Sequence, residues 1–254
     1  LELAAVDVAV TPTQWQLDQF PDWMQSRFRV IHEGIDVEHF AGLRHTVDPR
    51  PRPFSLPDHD GIEVVTYLSR CFEEYRGFPQ AMRALARLQR ERSGVHVLLA
   101  GSDEIAYGTP RRDGRTWRQW ATDELDLDPA RTHWLGILQS EHYEQLLRCS
   151  DVHFYLTVPF VLSWSLLEAM AAGCAIVASS TAPVLEVMEH EQSGVLVDFW
   201  NEDDQVAALH RFLNEPELRR RCANEAQATA SKYSAEEGLR QWRAVLCEDT
   251  DQTA

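Results

Sequence analysis

Several short stretches of the 254-residue chain carry side chains able to bind or transform a ligand. Ser69-Arg70 closes one apolar run, and Arg76-Gly77 follows shortly after it. Two guanidiniums this close can grip a diphosphate with forked, charge-assisted hydrogen bonds. The same pair can equally be two solvated surface arginines. In VPFVLSWSLLEAMAAG (158–173), polar and aromatic residues precede a segment too apolar to face water. The first amides of a helix there, around Ser163, Trp164 and Ser165, point where a phosphate would sit. Glu168 stands among Leu166, Leu167 and Met170. Its carboxylate suits the diol of a ribose, or a capping box with Ser165, whose spacing also fits. Ala182-Pro183 and Glu186, after AIVASST, form a weaker third place where small side chains let a ligand approach a strand end. Asp126 and Asp128 make a D-x-D pair, but in a polar loop after a helix rather than at a strand end, so a solvated acidic turn is expected and no metal. The chain lacks a G-x-G-x-x-G after its first strand, a Walker A loop, a nucleophile elbow and a metalloprotease motif.

These residues need elements to hold them. VVTYLSR (64–70), VHVLLAGSD (95–103), THWLGIL (132–138), VHFYLT (152–157), AIVASS (175–180) and GVLVD (194–198) read as strands. Between them lie helical patterns at 79–94, closed by Gly94, and at 117–125, 140–150, 163–173 and 182–192, with Ser140 as an N-cap. Strands joined by helices at this spacing are repeated βαβ units, hence a doubly wound, Rossmann-like α/β fold with a parallel sheet covered on both faces. Continuously apolar strands, rather than alternating ones, fit that burial. After Asp198 the pattern is helical at 202–214, 216–232 and 234–247, with Pro216 and Ser234 marking starts.

Composition narrows the partners. A net charge of −16 without a Lys/Arg stripe argues against nucleic acid, which demands a basic footprint. An anionic small ligand must then be held by local cations and helix N-termini. The five cysteines form no C-x-x-C pair and sit mostly in apolar segments, which suits reduced thiols in a cytoplasmic protein. No apolar run reaches the ~18–20 residues of a membrane span. The chain begins at Leu1 and reads as a piece of something longer. AAVDVAVTPT (4–13) and FRVIHEGID (28–36) resemble strands, yet two strands make no stable domain. They are expected to close a domain whose beginning is absent, with a second copy of the chain as one candidate partner. TVDPRPRPFSLPDHDG (46–61) reads as a linker.

In order, TPTQWQLDQFP, VIHEGIDVEHF, YLSR…EYRGF, LLAGS, LLRCSDV, LLEAMAAGCAIVAS and APVLEVMEHEQSGVLVD resemble the glycosyltransferase group 1 family, retaining enzymes of the GT-B fold. The resemblance covers about residues 9 to 200, and the order of the strings is more specific than any one of them. It implies that 1–45 ends an N-terminal acceptor domain, 46–61 is the linker, 62–233 binds a nucleotide-sugar, and 234–254 returns toward the first domain. By position, Arg70 and Arg76 (a lysine in most of the family) would hold the donor diphosphate. Ser69, Gly101 and Ser102 would lie near the nucleotide, Gly136 and Ile137 beside the base, and Glu168 on the ribose. The family places another glutamate ahead of that one, against the transferred sugar. Here Phe160 holds its place, and the usual flanking Phe-Gly is replaced by Val161-Leu162. A phenyl ring accepts no strong hydrogen bond, so sugar recognition must differ or catalysis is lost. The implied partners are a nucleoside-diphosphate sugar, an unidentified acceptor and the absent first domain, through which a cytoplasmic chain could meet the inner face of a membrane. No cofactor is implied. The activity expected is metal-independent transfer with retained configuration, silent in this fragment alone. The alternatives are a non-catalytic nucleotide-sugar-binding or assembly domain and a GT-B sugar-nucleotide epimerase.

Overall fold

The computed structural model describes residues 5–43, 53–57 and 61–247. The opening residues form β1 (Ala9–Thr11), the short helices α1 (Gln14–Leu17) and α2 (Asp22–Gln25), β2 (Phe28–Val30) and α3 (Val37–Gly42). β1 and β2 pair with each other in parallel, so each finds a partner within this chain. Thr13 caps α1 by accepting a hydrogen bond from the Gln16 amide, and Asp36 caps α3 through the His39 amide. Most of the Pro-rich stretch 46–61 lies outside the described residues.

The remainder is a doubly wound α/β unit. In chain order it runs β3 (Glu63–Cys71), α4 (Phe78–Glu91), β4 (Val95–Ser102), α5 (Trp117–Glu124), β5 (Thr132–Gly136), α6 (Ser140–Cys149), β6 (Val152–Tyr155), α7 (Trp164–Ala171), β7 (Ile176–Ser179), α8 (Ala182–Leu185), β8 (Val195–Val197), α9 (Glu202–Asn214), α10 (Pro216–Ala230) and α11 (Ala235–Cys247). The strands pair in parallel in the order β5-β4-β3-β6-β7-β8. Pairing alternates the faces. Val65, Val97 and Leu99 point into a core with α4 and α9, whereas Val64, Leu98 and Ala100 meet Leu146 of α6 on the other side. β6 and β7 are buried throughout, as strands between two helical layers must be, His153 of β6 included. The chain winds from β3 outward to β5 and then crosses back to β6, so a crevice opens at the carboxyl ends of β3 and β6, where winding reverses.

Several boundaries differ from the sequence expectation. Ser140 is the first residue of α6, not its cap; Gln139 holds that position without a side-chain bond. α4 stops at Glu91 because Arg92 turns extended, and Gly94 instead permits a close approach: a Cβ there would lie 2.4 Å from the Gly61 carbonyl oxygen. The helix expected over 182–192 is only α8. Beyond it the Ser193 hydroxyl accepts from the Glu189 amide, and Glu191 adopts φ 60, which reverses the chain into β8.

α11 packs on the segment before α3 through main chain. The Ile35 amide donates to the Tyr233 carbonyl and the Ala235 amide to the Ile35 carbonyl, both at 2.9 Å. Gly34, at φ 85, and Gly238 make this fit: a Cβ on Gly34 would meet Ser234 O at 2.4 Å, and one on Gly238 would meet Glu33 O at 2.5 Å. A second tie joins α8 to α1, where the Glu186 carboxylate accepts from the Gln14 and Trp15 amides at 2.9 and 2.5 Å. An anion at a helix N-terminus satisfies orphan donors there.

Candidate functional site

The crevice holds a cleft of about 400 Å³ at the strand ends. β3 supplies Ser69 and Arg70, β4 supplies Gly101, and Gly136 and Ile137 follow from β5. Ser163 and Ser165 come from the start of α7, Glu168 from its second turn, and Tyr143 from α6. Gly101 keeps two strand ends together, since a Cβ would lie 2.7 Å from both the Phe72 ring and the Ser69 carbonyl. Gly136 has φ 67 and open space where a side chain would stand, which widens the cleft. Ile137 is exposed on the rim. Arg70 is exposed and makes no ion pair among the described residues.

Glu168 is no capping-box member. α7 begins at Trp164 with Ser163 as its N-cap, which places Glu168 beyond the first turn. The Ser165 hydroxyl instead pairs with the Ser163 hydroxyl at 2.8 Å, and Glu168 accepts a short hydrogen bond from the Tyr143 hydroxyl. Burial pushes the Glu168 carboxyl above its ordinary value, the Tyr143 bond opposing that only in part. Burial likewise pushes the Tyr143 hydroxyl well up, helped by the neighbouring carboxylate. A half-buried carboxylate with one oxygen engaged and a cleft before it can accept from a ligand hydroxyl.

Arg76 sits in a 3₁₀ turn (Glu74–Arg76) that ends at Gly77, φ 64. A Cβ on Gly77 would meet the Leu156 side chain at 2.5 Å, so glycine lets this turn lie against the end of β6. Arg76 is only 9% exposed, yet no carboxylate pairs with it among the described residues. Its Nη1 donates to the Tyr155 hydroxyl at 3.2 Å and the Thr157 hydroxyl at 3.3 Å, and the guanidinium lies over the Phe160 ring, 5.1 Å from its centre. Tyr155 Oη also accepts from the Ser163 amide at 3.3 Å, which ties Arg76 to the wall of the cleft.

Phe160 does not line that cleft. It packs edge-on to Tyr75 and Tyr107, with centroids 5.2 and 5.0 Å away. Ser102 turns to accept from the Glu104 amide, and Trp164 is exposed on α7. Asp128 of the D-x-D pair accepts from Arg131 and the Ala130 amide, which holds its carboxyl below the usual range and makes it a loop staple. Sequence reasoning missed Tyr143, Tyr155 and Thr157. For Tyr155 and Thr157 the signal was a hydroxyl in a mostly apolar run, whereas Tyr143 sits among polar residues and left none. A larger hollow, about 820 Å³, runs along β8 and α9. Its Arg211 is already paired with Glu191, and Asp198 and Asp204 line it, so it presents more negative charge to an anion than the smaller cleft that Arg70 lines.

A winding-reversal cleft lined by arginine and glycine backbone defines a Rossmann-like α/β unit able to hold an anionic ligand. Residues 53–229 match the family model of glycosyl transferases group 1, and residues 1–40 match that of the glycosyl transferase family 4 group. The chain belongs to the group 1 glycosyl transferases. It is 26% identical over 235 residues to a phosphatidyl-myo-inositol mannosyltransferase of Mycolicibacterium smegmatis, covering 91% of this chain and 53% of that one. It is 24% identical over 211 residues to an uncharacterized glycosyltransferase of Methanocaldococcus jannaschii, covering 83% and 51%. The chain thus spans about half the length of these two relatives. In structure it is similar to Anabaena Alr3699/HepE in complex with UDP-glucose, with a TM-score of 0.76 at 19% identity over 96% of this chain and 64% of that one. Sucrose-phosphate synthase of Thermosynechococcus elongatus gives 0.76 at 17% identity over 97% and 60%. At such identities the likeness carries the fold, the Rossmann-like architecture of GT-B glycosyltransferases.

Proposed function

We propose that this chain is the donor-binding part of a retaining, metal-independent glycosyltransferase that takes its sugar from a nucleoside diphosphate. The observation that carries this reading is the buried Arg76 guanidinium, without a carboxylate partner among the described residues and linked through Tyr155 to the cleft that Arg70 and Glu168 line. A buried charge is costly unless something compensates it, and a diphosphate would. Arg70 and Arg76 stabilise the departing diphosphate, where negative charge develops in the transition state. Glu168 accepts from the ribose hydroxyls, and the space beside Gly136 takes the base. That Alr3699/HepE has been crystallised with UDP-glucose supports a nucleotide-sugar of this class. In this reading residues 1–45 belong to an acceptor-side domain, 62–233 bind the donor, and the acceptor is engaged by parts of the longer protein.

A thermal-shift panel of UDP, GDP, ADP and their sugar conjugates tests the proposal. Ligand at 100 times its dissociation constant adds about 2.7 kcal/mol, or roughly 5–10 °C for a chain this size. One base series should raise Tm by that amount, and Arg70→Ala should lower the gain. No shift with any of them would overturn the reading. A second reading, a non-catalytic binding domain, is favoured by Phe160 at the place of the family's sugar-binding glutamate. It predicts the same nucleotide binding and no transfer by the longer protein.

A further inference from the structure

Phe160 stands where the sugar would be met in the resembling family, yet its ring faces a guanidinium. Three contacts fix the Arg76 side chain: two neutral hydroxyls, Tyr155 and Thr157, and the face of Phe160. The hydroxyls satisfy one nitrogen edge. The ring is the contact that holds the guanidinium without using any of its N–H groups. Phe160 is itself braced on two sides, by Tyr75 and Tyr107. Tyr107 is braced in turn, because the buried Glu73 carboxylate accepts from the Tyr107 and Gly108 amides at 3.0 and 2.8 Å.

We infer that Phe160 is a positioning residue for Arg76: it aims the guanidinium at the donor diphosphate and leaves the sugar to other groups. The inference rests on the donor-site reading above and adds to it a role for a position that departs from the family pattern. A ring attracts the cation without engaging any of its N–H groups, so those not given to Tyr155 and Thr157 stay open to a phosphate.

The test uses the full chain with Phe160→Leu and Phe160→Tyr, titrated calorimetrically with the nucleoside diphosphate that binds the unaltered protein, its parent nucleoside and its sugar conjugate. Phe160→Leu should weaken the diphosphate about tenfold, or about 1.4 kcal/mol. The nucleoside should stay within about twofold, the conjugate should weaken by the same factor as the diphosphate, and Phe160→Tyr should restore most of the loss. A changed ratio of conjugate to diphosphate would place Phe160 on the sugar and overturn the inference, as would unaltered diphosphate binding in Phe160→Leu. Arg70→Ala serves as the control on the donor site itself. If it weakens the diphosphate while Phe160→Leu does not, the inference fails and the site reading stands. A crystal structure of Phe160→Leu tests the positioning role without any nucleotide. The guanidinium should turn relative to the Tyr155 and Thr157 hydroxyls, and an unchanged orientation would overturn that role.

Discussion

Arg76→Met separates a ligand-holding arginine from a structural one, because the two predict opposite pairs of results. The substitution removes two hydrogen bonds to neutral hydroxyls, each worth about 1 kcal/mol net, and a cation–π contact worth about 0.5–2 kcal/mol. It orphans neither hydroxyl. Tyr155 still accepts from the Ser163 amide, and Thr157 still has the Tyr75 and Val158 carbonyl oxygens within 3.2 and 2.9 Å. Against these losses stands relief of the desolvation of a buried cation, several kcal/mol, with methionine's flexible thioether filling the space. The sum should leave stability within about 2 kcal/mol of the parent, or roughly 4–8 °C in Tm. Diphosphate affinity should fall much further, by about 1.5–3 kcal/mol or roughly 10- to 150-fold, since charge-assisted bonds to phosphate disappear. Differential scanning calorimetry and titration calorimetry on one preparation measure both. A stability loss of about 3–5 kcal/mol, as breaking a buried ion pair gives, together with unchanged diphosphate affinity would refute the reasoning.

Other outcomes follow from the same geometry. Because burial raises the Glu168 carboxyl, its stabilising contribution is full below its ordinary value of 4.5 and is lost as pH rises through the higher folded value. Glu168→Gln should therefore become more stable than the parent as pH goes from 4 to 7, and should weaken a ribonucleotide more than its 2′-deoxy analogue. A constant stability difference across that range would contradict the assignment. His153 is wholly buried against the Thr66 hydroxyl, and burial lowers its value from 6.5 to about 4. The unfolded chain binds the proton first, so stability should fall by about 3 kcal/mol as pH drops from 6.5 toward 4. Urea melts of His153→Gln should show that slope flattened. Gly238→Ala places a methyl group against Glu33 O, and hydrogen exchange should report faster opening of both α11 and residues 32–35.

The sheet was legible because most of its strands are largely apolar runs between helical periods, so Val64 to Leu68 or Val95 to Ala100 admit little else. Element ends were less so. The 182–192 stretch has helical spacing throughout, but α8 ends at Leu185 and the Ser193 hydroxyl and the left-handed Glu191 then turn the chain, which leaves no periodic trace. Within the site, Ser69, Arg70, Gly101, Gly136, Ser163, Ser165 and Glu168 meet in one cleft as their strand-end and helix-start positions imply. The capping box failed because Ser163, two residues ahead of Ser165, holds the cap position of α7. The Tyr143–Glu168 and Arg76–Phe160 contacts join distant segments, so only packing reveals them.

The seam between α11 and residues 32–35 is written mostly in atoms that are not there. Its hydrogen bonds run from main chain to main chain, and its closeness depends on two missing methyl groups, at Gly34 and Gly238. Beside them stands a ring contact, His32 against Tyr233. Leu239 and Leu246 on the same helix stay exposed, so replacing them should leave the joint intact. Descendants of this sequence could exchange most of α11 without loosening it, while a single carbon at either glycine would pry it apart. Much of what fastens the end of the chain to its beginning therefore resides in two hydrogen atoms, which a search for matched residue pairs across the seam would pass over.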